Sequence, residues 1–255
     1  MENHSEHGSH SPPKGYGPGG HATLGGLSVD ADGLRFVPTD THFTPGDPLD
    51  WSFQVVTSDG SVVTEFDEAH GQRGHLIVVR RDLTRFQHLH PTLDADGTWR
   101  VEAFTLPNPG IYRAFIDLVV DSRPMTLGFD LFASGEIEVA PRPNTSPRAT
   151  ADGYVVDLHT DEILAGESAE LAFEIRRDGE DVSRLDPYLG ALGHLVALRE
   201  GDLAYLHVHP EETNPDSGRV EFGAQFPTPG RYRLFLQSKP DGTLITTQHD
   251  IRIEH

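Results

Sequence analysis

The sequence predicts an all-β protein with two sandwich domains in tandem behind an N-terminal tail. Three observations lead there: a block of residues recurs, apolar residues alternate with period two, and turn formers separate them at short intervals. Residues 74–91, GHLIVVRRDLTRFQHLHP, return as residues 193–210, GHLVALREGDLAYLHVHP. At an offset of 119, Gly74/Gly193, His75/His194, Leu76/Leu195, Arg80/Arg199, His88/His207, His90/His209 and Pro91/Pro210 coincide. Further on, Pro107, Pro109, Gly110, Tyr112, Arg113 and Phe115 match Pro227, Pro229, Gly230, Tyr232, Arg233 and Phe235 at an offset of 120. A duplication of this period means two copies of one module, each about 110 residues long, the size of a β-sandwich.

Taken in order, residues 1–22 hold Gly, Pro, Ser and His with almost nothing to bury, so they are expected to be a disordered tail. Residues 23–140 form the first domain. Leu34-Arg35-Phe36-Val37, Trp51-Ser52-Phe53-Gln54-Val55 and Trp99-Arg100-Val101-Glu102-Ala103-Phe104 alternate as strands do, with turn signals at Thr44-Pro45-Gly46-Asp47 and Ser58-Asp59-Gly60. Residues 141–150, rich in proline, are a stiff polar linker. Residues 151–255 form the second domain, with strands at Tyr154–Leu158, Leu171–Ile175 and Val220–Phe222 and a turn at Arg177-Asp178-Gly179. Tyr112 and Tyr232, each two residues after Pro-Gly, are expected to be core or corner tyrosines at the start of a late strand. The fold class is therefore two tandem immunoglobulin-like or cupredoxin-like β-sandwiches.

The repeated histidines carry the chemistry. Residues 75–80 and 85–90 read as a hairpin around the turn Arg81-Asp82-Leu83-Thr84. His88 and His90 share one face of their strand, and either hairpin register sets His75 against one of them. The same holds for His194, His207 and His209. The expectation is one imidazole triad per domain. Asp67 and Asp186, each eight residues before the first histidine of its repeat, are candidates for a fourth ligand or an orienting group. His249 is a spare imidazole in the second domain. Three neutral imidazoles suit Cu²⁺ or Zn²⁺. The chain has no cysteine, and its only methionines are Met1 and Met125, so thiolate sites and a soft Cu(I) carrier are disfavoured.

With 40 acidic against 20 basic residues the formal charge is −20, which repels nucleic-acid phosphates and anionic membranes. No apolar run is long enough to span a bilayer. The N-terminus shows no basic-plus-apolar signal region. The leading expectation is a non-enzymatic Cu or Zn protein of metal homeostasis, with metal ions as its partners. One alternative is a cupin-like metalloenzyme, since Gly201, His207, His209 and Glu212 are spaced like a first cupin motif. That reading lacks the later histidine, because Tyr232-Arg233-Leu234-Phe235 contains none. The other alternative is a metal-free adhesive or spacer protein.

The set Tyr188-Leu189-Gly190, Gly193-His194-Leu195, His207-x-His209-Pro210 and Pro229-Gly230-x-Tyr232-Arg233-x-Phe235 resembles a family of uncharacterised bacterial proteins, mostly actinobacterial, often described as secreted heavy-metal-binding proteins. The resemblance covers nearly the whole of residues 24–255. It implies tandem sandwich domains, metal binding and an extracytoplasmic location.

Overall fold

Alternating apolar residues between tight turns can bury one face only by pairing sheet against sheet, and this chain does so twice. The computed structural model describes residues 24–255 except His70, Ala140, residues 142–144 and 212–213, and the side chains of His207 and His209. The expected tail at residues 1–22 and part of the expected linker lie outside the described residues.

Each domain has the same seven principal strands. In the first they are β1 (Leu34–Pro38), β2 (Leu49–Thr57), β3 (Gly74–Arg80), β4 (Gln87–Leu89), β5 (Thr98–Phe104), β6 (Gly110–Val120) and β7 (Arg123–Ala133). In the second they are β8 (Tyr154–His159), β9 (Ser168–Arg177), β10 (Gly193–Arg199), β11 (Tyr205–His207), β12 (Arg219–Gln225), β13 (Gly230–Pro240) and β14 (Ile245–Ile253). One sheet of the first domain runs β1-β2-β5 and the other β7-β6-β3-β4. The second domain repeats this as β8-β9-β12 and β14-β13-β10-β11, and short edge strands complete all four sheets. Among the described residues the only helical turn is the 3₁₀ segment Pro215–Ser217.

Each sandwich encloses its own core. Phe36, Trp51, Phe53, Trp99 and Tyr112 fill the first, and Tyr154, Phe173, Phe222, Phe226 and Tyr232 the second. The corner tyrosines are present. Tyr112 donates its hydroxyl to the Asn108 carbonyl at 2.9 Å and Tyr232 to the Thr228 carbonyl at 3.0 Å, each tying the start of a late strand to the preceding loop. The repeated Gly-His also has a structural reason. A Cβ on Gly74 would stand 3.0 Å from Trp99, and one on Gly193 would stand 2.9 Å from Val220, so core side chains of the facing sheet press on this backbone.

β1 and β2 alternate buried and less buried residues, as their sequence indicates. β3 does not: all seven of its residues are buried. Leu76 and Val78 enter the first core, while Ile77 and Val79 point outward and are covered by the second domain. Their equivalents Val196 and Leu198 do the same in reverse, and Phe115 and Phe235 join them. The outer faces of two like sheets thus make a third apolar core between the domains. The packing is reciprocal. Phe86 stacks on Phe235 at 4.2 Å, and its counterpart Tyr205 lies 5.4 Å from Phe115. Leu83 and Leu203, each in a left-handed turn conformation (φ 61°), close the same core. Polar contacts seal its margin. Arg233 donates to the Leu83 carbonyl at 3.0 Å, and the Tyr205 amide to the Gly25 carbonyl at 3.0 Å.

Candidate metal centre

β3 and β4 pair with Leu76 opposite Leu89 and Ile77 opposite His88. Of the two registers open from sequence, this is the one that runs His75 toward His90. Side chains alternate along a strand, so His75, Ile77 and Val79 share the outward face. The imidazoles of His75, His88 and His90 therefore stand at one end of the interface between the domains.

Each of these three residues offers one nitrogen, and the three nitrogens lie within 4.8 Å of one another. Nδ1 of His75 and Nε2 of His88 are 3.0 Å apart. The opposite edges of both rings are anchored. His75 Nε2 meets the Ala69 carbonyl at 3.2 Å, and His88 Nδ1 meets Oε1 of Gln237 at 2.6 Å. The Gln237 amide is oriented by donation from Nε2 to Thr246 Oγ1 at 3.3 Å. Carbonyl and amide oxygens only accept, so the outer nitrogens carry the hydrogens and the inner ones carry lone pairs. Two lone pairs facing each other at 3.0 Å repel unless a cation lies between them. A proton is a poor candidate. Burial lowers the His88 pKa to about 3, with the Gln237 bond opposing the shift and His75 and His90 adding to it. Burial, then His75, lowers that of His90 to about 4. His90 Nε2 is also buried with no hydrogen-bond partner among the described residues.

Of the triad expected in the second domain, only His194 has a described side chain. The His194 ring stacks on His88 at 4.3 Å and lies 5.6 Å from His75, so the first histidine of the second repeat packs on the triad of the first. The reason is the apolar outer face shared by both repeats, which docks the two hairpins together. His207 lies in β11 opposite Val196, and His209 pairs with Gly223 of β12. Their side chains, and Glu212, are outside the described residues.

Among the described residues, the carboxylates of Asp67 and Asp186 fall outside the histidine group. Asp67 is exposed and accepts the Ser122 amide at 2.8 Å, capping the β6–β7 turn. Asp186 accepts Nε of Arg184 at 3.0 Å. His249 is fully buried beside Phe173, with Nδ1 on the Pro147 carbonyl at 3.2 Å and Nε2 on Thr247 Oγ1 at 3.1 Å. It belongs to the second core. Sequence reading missed Gln237 and Asp117. In the β-ladders Asp117 stands opposite His75 and Gln237 opposite His194. Asp117 accepts Thr126 Oγ1 at 2.9 Å and acts electrostatically on His88. It also helps raise the pKa of buried Tyr205, after burial itself. Their signal was a polar residue inside the apolar runs FIDLVV and FLQSK, at the rung beside the repeated histidine.

A stability prediction follows from the lowered imidazole values, which include His249 at about 4, again through burial. The unfolded chain takes up these protons near pH 6.5, while the fold refuses them until about pH 3–4. The stabilisation is fully present above about pH 6.5 and is lost as pH falls toward those values. Urea midpoints of metal-free protein are expected to drop between pH 7 and pH 5, above the range where carboxylates titrate. A flat midpoint there would mean that the three imidazoles are solvated.

A family model described as a domain of unknown function (DUF8832) matches residues 28–135 and again residues 149–255. No curated protein matches the chain at a significant level. Similar solved structures include the Escherichia coli adhesin FdeC, at 9% identity over 89% of this chain and 66% of that one, with a TM-score of 0.28. Yersinia pseudotuberculosis InvD matches at 9% identity over 87% and 57%, with a TM-score of 0.29. Salmonella alpha-2-macroglobulin matches at 14% identity over 91% and 15%, with a TM-score of 0.31. The chain thus spans less than two thirds of each of these structures, and at such scores the likeness carries no argument about function.

Proposed function

The chain belongs to the DUF8832 family through both of its domains, and we propose that it binds a transition-metal ion at His75, His88 and His90. The observation that supports this reading most is the pair of inner nitrogens 3.0 Å apart, both held as lone pairs by their outer bonds. Metal-ligating histidines are characteristically held in this way. Two nitrogens on a tetrahedral ion with bonds of 2.0–2.1 Å stand roughly 3.3–3.4 Å apart, so the pair needs to open only slightly. An all-imidazole donor set without thiolate fits Zn²⁺ or Cu²⁺. The negative charge of Asp117 nearby offsets part of the ion's charge. His75 is 3% exposed, which suits holding an ion more than turning over a substrate, so the reading is a binding protein.

The test is titration of chelator-stripped protein with Zn²⁺ and Cu²⁺ against a competing indicator. A tight ion is expected, and it should persist when residues 1–22, with the tail histidines His4, His7, His10 and His21, are deleted, because this reading assigns it to His75, His88 and His90. Loss of the tight ion with the tail would reject the triad in favour of the tail histidines, and no binding of either metal would favour a metal-free spacer.

A further inference from the structure

We propose that the centre is a clasp between the domains, in which Gln237 and His194 of the second domain hold His88 of the first in its ligating orientation. This rests on the metal-binding reading and goes beyond it, because it makes ion binding and domain docking one linked equilibrium.

His75 and His88 are held differently. His75 sits on the interior strand β3, and its outer bond goes to Ala69 of its own domain. His88 sits on β4, a three-residue strand at the end of its sheet, and its outer bond crosses to Gln237 on β13. The His194 ring lies on the face of His88 at 4.3 Å, with 30° between the planes, and limits its rotation. Without the second domain, His88 would lose both the acceptor that sets its tautomer and the ring that fixes its plane. Losing such a supporting bond typically weakens metal affinity about 10–100-fold. Coupling between two binding equilibria is reciprocal, so an ion that needs the docked second domain must favour docking by the same factor.

The decisive comparison is Gln237→Leu against Gln237→Glu in the full chain. Leucine keeps the bulk and removes the acceptor, whereas glutamate keeps an acceptor for His88 Nδ1. Zn²⁺ affinity is expected to fall about 10–100-fold in Gln237→Leu and to be retained in Gln237→Glu. The second readout is amide hydrogen exchange over residues 193–207, in the domain that does not carry the triad. Zn²⁺ is expected to slow exchange there in the unaltered chain and not in Gln237→Leu. Equal metal-free urea midpoints for the two variants would attribute the affinity change to the hydrogen bond. Leucine and glutamate variants with unchanged Zn²⁺ affinity, or exchange over 193–207 indifferent to Zn²⁺, would overturn the clasp and leave the triad standing. An unaltered chain that binds no Zn²⁺ would overturn the triad itself.

Discussion

His75→Ala is expected to abolish the tight site, weakening Zn²⁺ or Cu²⁺ binding by about 10²–10⁴-fold while both sandwiches stay folded. Structural zinc sites are worth about 10–16 kcal/mol, so one ligand of three or four carries roughly 3–5 kcal/mol, at 1.4 kcal/mol per tenfold. His75 is the ligand to remove first. It faces His88 at 3.0 Å and makes ring contact with His90 and His194, so no neighbouring imidazole replaces it without moving. Asp67→Ala and Asp186→Ala are the informative controls. Their carboxylates hold a turn amide and Arg184, so each should leave affinity within experimental error. A comparable loss in Asp67→Ala would place a carboxylate in the centre and redraw the site. Competition titration reads the affinity, and circular dichroism of the metal-free variants shows that the fold is intact.

Much of this architecture was legible from residues alone, for physical reasons. The duplication fixes two modules, because three histidines and a Pro-Gly-x-Tyr turn hold their spacing while their neighbours diverge. The corner tyrosines follow from that turn, since their hydroxyls need the preceding loop carbonyls. His75, His88 and His90 share a face because strand alternation allows nothing else once the hairpin forms.

The relation between the domains was harder to read. Contact between two outer faces leaves no spacing rule. Its trace is the continuous apolar run Leu76-Ile77-Val78-Val79, echoed by Leu195-Val196-Ala197-Leu198. A strand apolar on both sides has no face left for water, which signals cover on both sides. That cover is what brings His194 onto the first triad. Asp67 and Asp186 show the converse. Their shared distance from the repeated histidine reflects a shared place in the fold, beside the turn between the last two strands, as the Asp67–Ser122 bond and the closeness of Asp186 to Gly242 show. Repetition marks positions that the module needs, and only geometry tells a ligand from a cap.

The same apolar cover sets the second large effect: Val196→Asp is expected to loosen the docking of the domains without unfolding either. Val196 is fully buried in the interdomain core with Ile77, Val79, Phe115 and Phe235, and it belongs to neither sandwich core. A carboxylate there loses its water, and the buried arginines of that face, Arg113 and Arg233, are already paired with Asp130 and Asp250. An unpaired buried charge costs about 3–5 kcal/mol, a penalty the chain escapes by undocking. The remaining apolar side chains of the two faces, worth about 1.5–3 kcal/mol each through burial, still favour docking, so the charge shifts the balance toward open forms rather than melting either sandwich. The folded domains persist because their own cores, around Trp51 and Phe53 and around Phe173 and Phe222, do not include this surface. Small-angle scattering should show a larger radius of gyration for the variant, with its sheet circular dichroism retained. Zn²⁺ affinity should fall with it, since His88 then loses both Gln237 and His194 at once. Val37→Asp, a change at an exposed position of β1, should alter neither quantity. An unchanged radius together with unchanged stability in Val196→Asp would show that the two outer faces do not meet in solution, and the centre would then belong to the first domain alone.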